Sequence, residues 1–168
     1  MKNIVLVGYM GSGKTTIGAN TALRLGMRFV DTDKYIERMT HSSITSIFDR
    51  FGENTFRHME NLTCRGLATS KNAVIATGGG IALHRENIDC LKYNSLLIYL
   101  RGDTATLYSR AKLSGMRPLA GGFLHFLRIY NERKPFYEGC ADVIIDIRQM
   151  SADELSRLVI WHYCSILY

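Results

Sequence analysis

The eight residues Gly8-Tyr9-Met10-Gly11-Ser12-Gly13-Lys14-Thr15 stand between an apolar run, Ile4 to Val7, and a helix-forming stretch, Lys14 to Leu25. Their order is GxxxxGK[ST], and in that setting it confines the chain to few folds. A short, continuous run of mostly β-branched residues suits a strand buried on both faces. Glycines let consecutive backbone N–H groups turn inward around phosphate, where a Cβ would obstruct them. The helix that begins at the loop adds the positive end of its dipole. Lys14 can then reach β- and γ-phosphates, and the Thr15 hydroxyl can ligate Mg2+.

Strand and helix patterns alternate through the rest of the sequence. Phe29-Val30 with Asp31 reads as a second strand. Short helices follow over Lys34 to Met39 and Ile44 to Phe51, the latter ended by Gly52, and a longer amphipathic helix runs from Thr55 to Thr69. Ala73 to Ala76 is a third strand, closed by Gly78-Gly79-Gly80. A helix over Arg85 to Tyr93, a strand over Leu96 to Leu100 and a helix from an Asp103 N-cap to Lys112 come next. Ser114 to Gly122 reads as a loop, and helical pattern resumes near Phe123 towards Arg133. Val143 to Ile145 is the last strand, and Ser151 with Glu154 forms a capping box that opens a final helix. Trp161, Tyr163 and Leu167 are expected to pack that helix. The alternation predicts one α/β domain over residues 1–168, its parallel sheet covered on both faces.

Composition narrows the partners. With 168 residues, 46% hydrophobic and 21% charged, the chain can bury a core and is not a disordered segment. No stretch approaches the ~20 apolar residues of a membrane span, and the first apolar run is too short for a signal peptide. A cytoplasmic protein with no membrane partner is expected. Cys64, Cys90, Cys140 and Cys164 lie far apart without a CxxC, so reduced thiols are expected. The net charge of +6 favours an anionic partner. Lys and Arg are scattered, however, with Arg133-Lys134 the only adjacent pair, so nucleic acid is not expected. His41, His58, His84, His125 and His162 form no triad or metal set.

Four further features carry chemistry. Asp31 and Asp33 follow the second strand at a spacing of two, which in extended chain puts both carboxylates on one side. Ligands of open parallel sheets sit at that end of the strands. One carboxylate could support a metal shell and the other orient or deprotonate an attacking hydroxyl; Asp31 could equally cap the next helix. Arg57 and Glu60 share a helix face. Their spacing alone favours an exposed ion pair worth little, and the alternative is Glu60 holding the guanidinium to clamp a carboxylate. Three glycines directly after a buried strand suit a loop that lets a ligand approach the backbone. Arg117, in a segment with Gly115 and Pro118, suits a lid over a transferring phosphoryl or an ordinary surface loop.

Taken together, these elements resemble the shikimate kinase family. The matching stretches are GYMGSGKTT, Asp31-Thr32-Asp33, Ile47-Phe48 through Gly52-Glu53 to Phe56-Arg57 and Glu60, the triple glycine, Arg117-Pro118-Leu119, and Arg133 with Pro135 and Tyr137. They run in that order from about Lys2 to Ile145. The resemblance implies an α/β P-loop kinase fold of the nucleoside-monophosphate-kinase-like type. It has a five-stranded parallel sheet flanked by helices, substrate-binding helices at about 33–60 and a lid at about 112–124. It implies phosphorylation of the 3-hydroxyl of shikimate by ATP with Mg2+, in a monomer. Carried over by position, Asp33, Lys14 and Arg117 are catalytic, with Asp33 taking the hydroxyl proton. Gly11, Ser12, Gly13, Lys14, Thr15 and Thr16 hold the ATP phosphates together with Arg117, and Arg110 stacks on adenine. Asp33, Arg57, Gly78, Gly79, Gly80 and Arg133 bind shikimate. Thr15 ligates Mg2+ and Asp31 supports it through water.

The chain departs from the family pattern in two places. After Arg117-Pro118-Leu119 comes Ala120-Gly121-Gly122-Phe123, shorter and more apolar than the usual lid, and Trp161 to Tyr168 has no evident counterpart. A kinase of another small hydroxy acid such as gluconate would share the P-loop, but has no reason to carry both the triple glycine and the Arg57/Glu60 pair. A non-catalytic nucleotide-binding module would need neither Asp33 nor a carboxylate clamp.

Overall fold

A computed structural model describes residues 2–113, 122–148 and 150–167. Five strands form one parallel sheet in the order β2-β3-β1-β4-β5. They are β1 (Asn3–Val7), β2 (Arg28–Asp31), β3 (Ala73–Ala76), β4 (Ser95–Arg101) and β5 (Val143–Asp146). β1 lies at the centre, with Ile4 level with Val74 on one side and Leu96 on the other. Every residue of β1 and β3 is buried, as expected of strands that helices cover on both faces. Because β1 pairs with β3 on one flank and β4 on the other, strand order reverses at its carboxyl end. A crevice opens at such a point in open parallel sheets.

The helices are α1 (Lys14–Leu25), α2 (Thr32–Thr40), α3 (Ile44–Ala68), α4 (Arg85–Lys92), α5 (Thr104–Leu113), α6 (Gly122–Cys140) and α7 (Ala152–Leu167), with a 3₁₀ turn at Ile81–Leu83. α3 is two helices joined at a kink where Gly52 adopts φ 78° and ψ 170°, matching the break expected there. Asp103 caps α5 through the Thr106 N–H at 2.9 Å. Ser151 and Glu154 form the reciprocal capping box, at 2.8 and 3.2 Å. No helix among the described residues is long and apolar enough to cross a membrane.

Three expectations need correction. α6 does not end near Arg133 but continues through Pro135 to Cys140. The proline removes the bond to the Asn131 carbonyl, yet both residues are exposed, so water can take that place. Buried Tyr130 and Tyr137 hold the helix on either side. Trp161 is 61% exposed and does not pack α7; Tyr163 does, donating to the Lys2 carbonyl at 2.7 Å. Lys34 is not the first residue of α2, which starts at Thr32, with consequences for the site.

Asn3 ties the sheet together at its amino end. Fully buried, it donates from Nδ2 to the Ser70 carbonyl at 2.9 Å and accepts from the Ala73 N–H at 3.0 Å. Asn3→Ala would strand both backbone groups away from water, at a cost of about 2–3 kcal/mol. Urea denaturation should show that loss; a change below about 0.5 kcal/mol would remove Asn3 from this role.

Candidate active site

The loop between β1 and α1 curls back on itself, with Gly11 at φ 81° and Gly13 at φ 85°. The Ser12 N–H bonds to the Tyr9 carbonyl at 3.2 Å. The Lys14 ammonium lies inside the curl, donating to the Gly8 carbonyl at 2.7 Å, the Tyr9 carbonyl at 3.1 Å and Ser12 Oγ at 3.3 Å. Burial pulls its pKa down to about 8, with the carboxylates of Asp33 and Asp31 opposing the shift. A lysine so placed can exchange carbonyl contacts for phosphate oxygens.

Asp31 and Asp33 do not extend side by side from a strand. Asp31 ends β2 and its Oδ1 accepts from the N–H groups of Asp33 and Lys34, at 3.1 and 3.2 Å. That cap starts α2 at once and places Asp33 in its first turn. The two readings of Asp31 are therefore compatible, since Oδ2 accepts from the Thr15 hydroxyl at 2.7 Å while Oδ1 caps the helix. A hydroxyl and a carboxylate beside a phosphate loop fit a hard cation that keeps most of its waters, such as Mg2+.

Asp33 is the unusual group. Its Oδ1 is buried without a hydrogen-bond partner. Burial pushes its pKa up to about 6, helped by the charges of Asp31 and Glu60 and resisted by Lys14. It lies against the triple glycine: a Cβ on Gly78 would collide with Asp33 Oδ1. The Gly78 N–H donates to Thr32 Oγ1 at 2.8 Å, fixing the loop against the start of α2.

The same loop meets Arg57. A Cβ on Gly80 would collide with Arg57 Nη1, so the guanidinium rests directly on backbone. Arg57 donates to Glu60 at 2.7 Å and to Glu53 at 2.7 Å, and Glu60 is 1% exposed. The expected exposed ion pair is thus a buried one. Burial works against the Arg57 charge, but its bonds to Glu60 and Glu53 outweigh it and hold the pKa above the ordinary arginine value. All three guanidinium nitrogens donate to these carboxylates, Nε and Nη2 to Glu53 and Nη1 to Glu60, which fixes the orientation of the cation in the cleft. At Gly78 and Gly80 the missing Cβ makes room for the side chains of Asp33 and Arg57.

Gly11, Gly13, Lys14, Thr15, Thr16, Asp31, Asp33, Arg57, Gly78, Gly79, Gly80, Arg110 and Arg133 all line one cleft of about 970 Å³. Ser12 is buried behind it. Arg117 and most of the expected lid lie outside the described residues. The sequence did not single out Glu37, whose Oε1 accepts from the Ile44 N–H at 3.1 Å and so pins α3 to α2. Nor did it single out Met150, Ala152 and Leu155, which line the cleft beside Ser151, a residue read only as a helix cap. Neither group had a motif to mark it.

The shikimate kinase family model matches residues 10–162. The chain belongs to the shikimate kinase family. A shikimate kinase of Chromobacterium violaceum is 42% identical over 94% of this chain and 88% of its own length. One from Thermodesulfovibrio yellowstonii is 38% identical over 97% and 95%. Among solved structures, shikimate kinase from Acinetobacter baumannii in complex with shikimate superposes with a TM-score of 0.91 at 34% identity, covering 98% of this chain and 94% of that one. The Aquifex aeolicus enzyme gives 0.87 at 26% identity, covering 98% of each. The likeness therefore extends beyond Ile145, through most of α7.

The buried Asp33 charge has a measurable cost. Its pKa of about 6 in the folded chain lies above the ordinary 3.8, so the penalty is absent below pH 4, grows between 4 and 6 and is full above 6. Two units correspond to about 2–3 kcal/mol. In nucleotide- and metal-free protein, Asp33→Asn should stabilise more at pH 7.5 than at pH 4 in urea melts. An equal effect at both pH values would contradict this.

Proposed function

We propose that the chain transfers the γ-phosphoryl group of ATP to the 3-hydroxyl of shikimate, giving shikimate 3-phosphate and ADP, a step towards the aromatic amino acids. The observation that carries this reading is the buried, unpartnered Asp33 Oδ1 in one cleft with Lys14 and two arginines, Arg57 and Arg133. A substrate with one carboxylate and several hydroxyls calls for that set. Arg57, oriented by Glu60, and Arg133 take the carboxylate; Asp33 accepts the proton of the attacking hydroxyl.

With a pKa of about 6, Asp33 is largely ionised at pH 7 yet closer to a hydroxyl in basicity than an ordinary carboxylate. The oxygen that loses its proton to Asp33 forms the new bond to phosphorus, and the bond to the ADP oxygen breaks. Lys14 and the loop of Gly11, Ser12, Gly13, Thr15 and Thr16 hold the phosphates, and Arg110, which lines the same cleft, would stack on adenine. Thr15 and, through water, Asp31 would hold Mg2+, which supplies charge neutralisation across the phosphates. Arg117 would complete the charge from the lid at about 112–124, within a single kinase domain whose substrate helices span about 33–60. Action as a monomer is part of this reading. Four free cysteines fit a cytoplasmic setting.

Coupled measurement of ADP should show turnover that requires shikimate and Mg2+; turnover with gluconate and none with shikimate would overturn the reading. Asp33→Asn should leave ATP affinity near wild type while lowering kcat by at least ~10²-fold. Wild-type kcat in that variant would remove Asp33 from proton transfer.

A further inference from the structure

Phe126, Tyr130, Arg133 and Tyr137 recur on α6 at spacings of four, three and four, which places them on one stripe of the helix. Arg133 is the member of that stripe that lines the cleft, and the three buried aromatic residues pack beside it. The ring of Tyr9, in the phosphate loop, meets Phe126 at 4.8 Å and Tyr130 at 5.6 Å between centroids. The Arg133 guanidinium lies over the same ring at 5.8 Å. One turn further on, Tyr137 is 1% exposed and stacks on Tyr99 of β4 at 5.3 Å with an interplanar angle of 24°. Its hydroxyl donates to the Gly79 carbonyl at 2.5 Å.

Three consecutive glycines form the least restrained backbone a chain can have. In a planar trans peptide the carbonyl of one residue and the N–H of the next point in opposite directions. A bond that draws the Gly79 carbonyl to Tyr137 therefore turns the Gly80 N–H away from α6. Burial pushes the Tyr137 phenol well above the ordinary tyrosine value, so it remains a donor at working pH.

We propose that Tyr137 is a positioning residue for the acceptor substrate, fixing the Gly79–Gly80 peptide and, through the same stripe, the seat of Arg133. It touches no reacting atom and acts through the loop and the helix. The role rests on shikimate being the acceptor, bound against Gly79, Gly80 and Arg133.

The test is steady-state kinetics of Tyr137→Phe, which removes one oxygen and keeps the stacked ring, beside wild type and Tyr99→Phe. Tyr99→Phe removes a neighbouring buried hydroxyl that does not bond the glycine loop. The expected result is a KM for shikimate raised about tenfold in Tyr137→Phe, with the KM for ATP within twofold and Tyr99→Phe near wild type in both. A KM for shikimate that moves less than threefold, or that rises together with the KM for ATP, overturns the proposal. Wild type that does not phosphorylate shikimate overturns the substrate reading and this role with it. Wild type that does, beside an unchanged Tyr137→Phe, overturns this role alone. Should Tyr137→Phe fail to fold, ¹⁵N relaxation of ligand-free wild type decides: a Gly80 amide order parameter above ~0.8 is expected of a pinned peptide, and a lower value contradicts it.

Discussion

Asp33 and Arg57 approach the backbone of Gly78-Gly79-Gly80 so closely that no side chain could stand between them, and the rest of the site is arranged around that contact. Asp33 presses on Gly78, Arg57 on Gly80, and Glu60 sits buried beside both. The loop is held from below by β3, from the α2 side by Thr32 and from the α6 side by Tyr137. Rigid neighbours supply what three glycines cannot supply for themselves.

Electrostatics give the arrangement its chemistry. Four ionisable groups, Lys14, Asp33, Arg57 and Glu60, lie in one partly desolvated cleft, and burial displaces three of them towards neutrality, Lys14 to about 8, Asp33 to about 6 and Glu60 upward. Groups so displaced gather where proton transfer and phosphate binding are required. The Arg57–Glu60 pair behaves differently, because direct hydrogen bonds preserve the arginine charge despite burial. The cleft thus keeps one cation fully charged for an anion while leaving one carboxylate close in basicity to what a hydroxyl proton needs. The central strand order places both at the end of β1 from which the phosphate loop emerges.

Much of this was legible in the residues. The phosphate loop could be read because its glycines, lysine and threonine are fixed by the chemistry they perform. β1, β3 and β4 stood out as unbroken apolar runs because both their faces are covered. What escaped were properties that tertiary contact decides. Asp33 was expected to extend from a strand beside Asp31; the Asp31 cap turns the chain helical at Thr32 instead. Arg57 and Glu60 have the spacing of any surface pair, and only the packing of α3 against the glycine loop buries Glu60. The helical pattern was followed only towards Arg133, whereas α6 runs on through Pro135, whose solvent-facing position lets the helix continue. Met150 and Ala152 reach the cleft through the placement of α7 and carry no residue pattern that marks them, while the capping-box pattern of Ser151 points only to a helix start.

The account holds that catalytic placement of Asp33 depends on the bare backbone at Gly78, and Gly78→Ala tests it most directly. The added methyl meets Asp33 Oδ1 and should displace it, while the phosphate loop is untouched. Measured with saturating shikimate and with ATP affinity determined separately, kcat should fall at least ~10²-fold and ATP affinity should stay within about threefold. A Gly78→Ala enzyme that keeps wild-type kcat would contradict the claim that this contact sets the carboxylate in place.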